Sequence, residues 1–267
     1  MKIVSFSAIK GGVGKTTLAF NYGEWLAKQN KKVLFIDLDH QCNLTQTYGI
    51  YETKNTIANA FLQKENVDIH HVKENIDLIA GYMQLDKIET DIENKANKEM
   101  LLYLWLADNY EIKKLGQYDY MILDCRPDFS TATRNAVAIS HILLSPIIPS
   151  EHGYNARFNL ENRLKAFREE VINYETRESY ITTELFFVGN MVKHNTKSSR
   201  DFLESLNNDE RVIGVFPEKE LFNRSTLDDL SLADMKEDKS IYNKHKEFFK
   251  DIDNNFSEIT KIVDQYN

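Results

Sequence analysis

The residues that could do chemistry begin at position 10. Lys10-Gly11-Gly12-Val13-Gly14-Lys15-Thr16-Thr17 follows a short apolar run and precedes a helical pattern. Glycines at this density let the backbone turn its N–H groups inward around an anion. A helix starting at Lys15-Thr16 adds free N-terminal N–H groups, which favour negative charge. Lys15 can set a point charge on β- and γ-phosphates, and the Thr16 hydroxyl can ligate Mg²⁺. Gly14-Lys15-Thr16 fits the end of the phosphate-loop pattern G-x-x-x-x-G-K-[ST], although its first glycine is missing here. A plain glycine-rich turn is the competing reading, and the strand–loop–helix context weighs against it.

Two carboxylate-tipped runs could serve the same anion. Val33-Leu34-Phe35-Ile36 leads to Asp37-Leu38-Asp39, and Tyr118–Leu123 leads to Asp124 in the form of a Walker B strand. A carboxylate at the carboxyl end of a buried strand beside a phosphate can hold Mg²⁺ or orient a water. Asp124 is expected to hold Mg²⁺ through a water. Farther along, Leu185–Gly189 ends in Asn190, whose amide could meet the edge of a base or cap a turn.

Elements must bring these residues together. Strands are expected at Lys2–Ala8, Lys32–Asp37, Ile76–Ala80, Tyr118–Asp124, His141–Ile148, Glu184–Val188 and Arg211–Val215. Helical patterns fill Thr16–Gln29, Lys98–Lys113, Thr131–Ile139, Asn155–Tyr174, Ser199–Leu206 and Ser240–Asp264. Such alternation predicts an α/β fold: a mostly parallel sheet with helices on both faces, binding ligands at the strands' carboxyl ends. No repeat or linker divides the chain, and 4 Pro and 10 Gly leave no hinge, so residues 1–267 are expected to form one domain. In the Ile50–Lys113 stretch, Tyr103 and Trp105 are expected in the core.

Composition narrows the options. The chain has 267 residues, 42% hydrophobic and 28% charged, which excludes disorder, collagen and disulfide mini-proteins. Two cysteines, Cys42 and Cys125, read as reduced thiols. No signal peptide or bilayer-length apolar run is evident, so a soluble, cytoplasmic protein is expected. The last helix repeats apolar residues at helical spacing. From Asp251 onward it carries one basic and four acidic residues, so it should pack rather than bind an anionic membrane. With a net charge of −8, any nucleic-acid contact needs a local basic patch.

The Lys10–Thr17 segment resembles the deviant Walker A motif of the ParA/MinD family of ATPases, and the compact ParA type above all. The resemblance implies a P-loop NTPase that hydrolyses ATP with Mg²⁺ and sandwiches two ATP molecules in a homodimer. ATP contacts would come from Lys10, Gly11, Gly12, Val13, Gly14, Lys15, Thr16 and Thr17, with Asn190 and Pro217 near the base. Lys10 would match the signature lysine that reaches the partner protomer's nucleotide. Asp37-Leu38-Asp39-His40-Gln41 resembles the family's D-x-D-P-Q stretch, with His40 in the proline position. By that match Asp39 positions the attacking water, so Lys10, Lys15 and Asp39 form the catalytic set. Thr16, Asp37 and Asp124 would order the metal. Asp124-Cys125-Arg126-Pro127 departs from the family's D-C-P-P at Arg126, which reads as a solvated charge or a phosphate-sensing cation. The resemblance further implies partition of a plasmid or chromosome, with a nucleoid-associated dimer on nonspecific DNA and a centromere-binding, ParB-like partner. No membrane partner is expected. Between Lys193 and Lys250 there are 11 basic and 12 acidic residues. Folding must therefore assemble any DNA surface from such residues as Lys219, Arg224, Lys244, Lys246 and Lys250. A MinD-like positioning ATPase that does not bind DNA is the alternative.

Overall fold

The computed structural model describes residues 1–207 and 209–266, with the backbone alone over 151–155. Its first half runs β1 (Lys2–Phe6), α1 (Lys15–Lys28), β2 (Val33–Leu38), α2 (Asn43–Thr47), α3 (Ile57–Phe61), β3 (His70–Lys73), β4 (Ile76–Ile79), α4 (Leu85–Ile92), α5 (Leu101–Asn109) and β5 (Tyr120–Cys125). The second half runs α6 (Thr131–Ile139), β6 (Ile142–Ile147), α7 (Glu151–Glu170), β7 (Glu184–Val192), α8 (Lys197–Leu206), β8 (Val212–Pro217), α9 (Glu220–Leu227), α10 (Leu232–Glu237), α11 (Lys239–Lys244) and α12 (Lys246–Gln265).

The eight strands form one sheet in the order β3-β4-β2-β5-β1-β6-β7-β8, parallel except for the β3–β4 pair. Every residue of β2 and β5 is buried, as a sheet covered on both faces requires. Alternate side chains supply opposite layers. Val33 and Phe35 join Leu18, Tyr22, Phe222 and Phe256 on the face of α1, α9 and α12. Leu34, Ile36 and Leu38 join Phe61, Trp105 and Ala136 on the face of α3, α5 and α6. A third cluster packs Leu164, Phe167 and Phe202 of α7 and α8 against Leu143 and Phe187. Helix α1 approaches β2 closely because position 23 is glycine: a Cβ there would lie 2.1 Å from Phe35 Cζ.

Two local bonds pin the sheet. His141, just before β6, accepts the Ile3 N–H on Nδ1 at 2.9 Å and donates its own N–H to Ile3 O at 3.0 Å. At the other end, the Asn255 amide of α12 bonds both backbone groups of Val215 on edge strand β8, at 2.9 and 3.1 Å.

The structure redraws several expected elements. β7 continues to Val192, and the Lys98–Lys113 pattern resolves into a 3-10 turn followed by α5, which stops at Asn109. The last expected helix is two, α11 and α12, parted at His245 (φ −131°). Its apolar stripe of Phe248, Ile252, Phe256, Ile259 and Val263 is buried, as expected of a packing helix. Trp105 is buried, but Tyr103 is 52% exposed, so it is not a core residue. Residues 50–113 supply an antiparallel edge strand and the helices α3 to α5. Among the described residues, no helix is long and apolar enough to cross a membrane.

Candidate nucleotide site

Strand β1 delivers the glycine loop to the N-terminus of α1. Gly14 caps that helix at φ +86°, and Gly12 also has positive φ (+71°), conformations that strain other residues. Asn190 on β7 donates its amide to Val13 O at 2.8 Å. A Cβ at Gly14 would stand 2.4 Å from Asn190 Nδ2, so the position requires glycine on two counts. Lys15 is 7% exposed. Lys10, by contrast, lies at the rim, its Nζ donating to Ser150 Oγ at 3.3 Å.

The two acidic strands stand side by side. β2 and β5 pair in a register that sets Asp37 opposite Asp124, while β1 flanks β5 on its other edge. Both carboxylate oxygens of Asp124 are buried without a hydrogen-bond partner among the described residues. Burial and the Asp37 charge push its pKa well up, against the opposing pull of the Thr16 hydroxyl and the Lys15 charge. A buried carboxylate left bare beside a phosphate loop fits a site for a cation and its waters. No group of three His, Cys, Asp or Glu among the described residues could hold a metal ion.

Asp37 is differently placed. Its Oδ2 accepts the Thr45 N–H at 2.9 Å and the Thr45 hydroxyl at 2.7 Å, while Oδ1 accepts the Asp39 N–H at 3.0 Å. Burial still pushes its pKa up to about 6. The Thr45 hydroxyl accepts the Gly81 N–H at 2.9 Å, so one carboxylate holds α2 and the end of β4. Asp39 is 6% exposed, and its Oδ1 accepts the Gln41 N–H at 2.9 Å. Burial pushes the Cys42 thiol up to about 12 and raises Cys125 as well, so both are neutral packing groups rather than nucleophiles.

Arg126 is neither a solvated charge nor a free cation. Its Nη1 bonds Glu89 Oε2 at 2.7 Å, and its Nε bonds Asp128. Glu89 Oε1 also accepts the Ala132 N–H at 2.7 Å, so one buried carboxylate on α4 holds the loop after Asp124 and caps α6. Sequence reasoning missed Glu89, Gly81 and Ser150, each of which acts through a partner distant in the chain; Thr45 was read only as the end of the segment that follows Asp39.

Pro217 ends β8 and lines a cleft of about 740 Å³ with Val192, Lys193, Arg200, Lys219 and Asn255. Of the cationic candidates, Lys219 Nζ stands 5.9 Å from the Phe248 ring centroid, and Lys244 is exposed at the end of α11. Lys246 and Lys250 are exposed one turn apart on α12. Arg224 is exposed on α9 and paired with Asp228 at 2.9 Å.

A strand, glycine loop and helix beside two aspartate-tipped parallel strands define a P-loop NTPase. The AAA domain family matches residues 1–176. Soj, the sporulation initiation inhibitor protein of Bacillus subtilis, is 32% identical over 172 residues, 62% of this chain and 65% of that protein. A putative plasmid partition protein of Borrelia burgdorferi, solved bound to AMPPNP, superposes with a TM-score of 0.78 at 25% identity, covering 97% of this chain and 98% of its own. A Mycobacterium tuberculosis protein is 33% identical over 156 residues, 56% of this chain and 46% of that one, so the chain spans about half that relative's length. The chain belongs to the AAA domain family and, within it, to the ParA/MinD group of deviant Walker A ATPases.

Proposed function

We propose that residues 1–267 act as one ATP-hydrolysing unit of a DNA partition system. In this reading the chain binds ATP with Mg²⁺, pairs with a second copy across the bound nucleotides and holds nonspecific DNA in that state. A centromere-binding, ParB-like partner stimulates hydrolysis, and the chain leaves the DNA. It works in the cytoplasm, on the nucleoid. The bare, buried carboxylate of Asp124 beside Lys15 and Thr16 is the observation that carries the nucleotide assignment. Lys15 and the loop N–H groups hold phosphates, Thr16 and Asp124 hold Mg²⁺, and Asp39 orients the water. Asp37 orders that shell indirectly, by fixing Thr45 and the Asp39 N–H. Bound Mg²⁺ supplies neutralisation of phosphate charge. Lys10, at the rim, reaches the partner protomer; Asn190 and Pro217 border the base. Support for DNA binding comes from the partition relatives and from Lys244, Lys246 and Lys250, exposed and close together in the chain.

Opposite phenotypes at two neighbouring residues test this reading. Asp39→Ala should bind ATP, lose roughly 10²-fold in kcat, and stay on DNA after excess ADP is added. Lys15→Ala should not hold ATP and should stay off DNA. Release of Asp39→Ala at the wild-type rate would show that hydrolysis is not the release step. Failure of the ATP-bound wild type to bind DNA at low salt would favour a positioning ATPase.

A further inference from the structure

The residue after Asp39 is His40, where the family resemblance places proline, and its surroundings are specific. His40 Nδ1 lies 3.6 Å from Asp39 Oδ1, the same oxygen that accepts the Gln41 N–H. That nitrogen is buried and has no hydrogen-bond partner among the described residues, although the side chain is 37% exposed. One edge of the ring therefore faces the protein while the rest faces solvent. Buried polar atoms are rarely left unpaired. An N–H···O bond closes at about 2.7–3.2 Å, so Nδ1 stands roughly half an ångström outside bonding range. The turn around it is fixed, since the Cys42 N–H donates to Asp39 O at 2.9 Å and Cys42 sits at φ +53°.

We propose that His40 is a positioning residue for Asp39. With its proton on Nδ1 and closed in by roughly half an ångström, the ring donates to Oδ1 and, together with the Gln41 N–H, occupies that oxygen. Oδ2 is then the oxygen left to orient the attacking water. A neutral imidazole is enough, because the device is a donor at a fixed place and not a charge. Proline has no side-chain donor, so this contact belongs to this chain's own loop. The inference rests on the role given to Asp39 above.

The experiment measures steady-state ATP hydrolysis and ATP affinity for the wild type, His40→Ala, His40→Asn, Asp39→Ala and the double variant His40→Ala/Asp39→Ala. His40→Ala should lower kcat roughly 5- to 20-fold through misplacement of the carboxylate, with ATP affinity within about twofold of wild type. Asn carries an N–H donor at the same branch point as Nδ1 and should recover most of the rate. In the Asp39→Ala background, His40→Ala should have no further effect. A wild-type kcat in His40→Ala overturns the proposal, as does His40→Asn remaining as slow as His40→Ala. If Asp39→Ala itself keeps the wild-type rate, the role given to Asp39 fails and His40's with it. If Asp39→Ala is slow and His40→Ala is not, only the His40 inference fails.

Discussion

Gly14 and Asn190 compete for one small volume at the end of the phosphate loop. Gly14→Ala should suffer twice, from a positive φ that costs about 1–2 kcal/mol and from the Asn190 amide at 2.4 Å. Adding Asn190→Ala removes the second penalty but not the first, so the double variant should melt higher than Gly14→Ala alone. Calorimetry on the three variants checks this non-additivity. Glu89 offers a second test, because its carboxylate serves both Arg126 and the N-terminus of α6. Glu89→Ala should cost about 2–4 kcal/mol, since it strips a largely buried guanidinium of one partner and removes a helix cap. The melting temperature should fall by about 4–8 °C. Loss of under one degree would mean that Asp128 alone satisfies Arg126. The phosphate loop was legible in the sequence because its parts are contiguous and each residue type has a local reason. Asn190 was legible as a strand-end amide, but its bond to Val13 was not, nor was Glu89, because the partners lie 177 and 37 positions away.

Strands β1 and β6 meet through His141, and that junction is sensitive to pH. Burial, followed by the charges of Lys2 and the N-terminus, lowers the pKa of His141 below its ordinary value of 6.5. The folded state therefore favours the neutral ring, whose Nδ1 accepts the Ile3 N–H. This contribution is fully present above pH 6.5 and is lost as pH falls through the folded-state pKa. Asparagine keeps an acceptor but cannot titrate. Urea unfolding of wild type and His141→Asn should thus show the wild type losing ground between pH 7.5 and 5; a constant difference would contradict the assignment. At the far edge, Asn255 occupies the Val215 backbone groups that another strand could otherwise pair with. Asn255→Ala should cost about 1–2 kcal/mol and raise light scattering at high protein concentration. The buried parallel strands were readable as apolar runs. β3 was not, because His70-His71-Val72-Lys73 is a short, partly exposed edge carrying polar side chains. The short helices α2, α9 and α10 gave too few turns for a helical period to emerge. The Ser240–Asp264 pattern concealed a break, because Ile241 keeps an apolar beat on the far side of His245.

For the molecule as a whole, the proposed DNA contact carries an ionic signature. Binding through Lys219, Lys244, Lys246 and Lys250 should weaken steeply with salt, because each phosphate contact releases condensed counterions. Reversing any one of these charges should flatten the log–log salt slope by about one, without changing the indifference to base sequence. Fluorescence anisotropy between low and moderate salt measures it, and an unchanged slope would remove that lysine from the interface. The Asp37–Thr45–Gly81 junction has a consequence for anyone building hybrids of this protein. Residues 50–113 include β4, and the end of that strand docks on Thr45, whose hydroxyl bonds the same carboxylate that sets the Asp39 loop. A graft from a relative cut at residues 50 and 113 would import a foreign match for Thr45. It should fold on its apolar contacts and still misregister the loop that does the chemistry. A donor segment running from Asp37 through Gly81 should transplant intact, because lock and key then come from one parent.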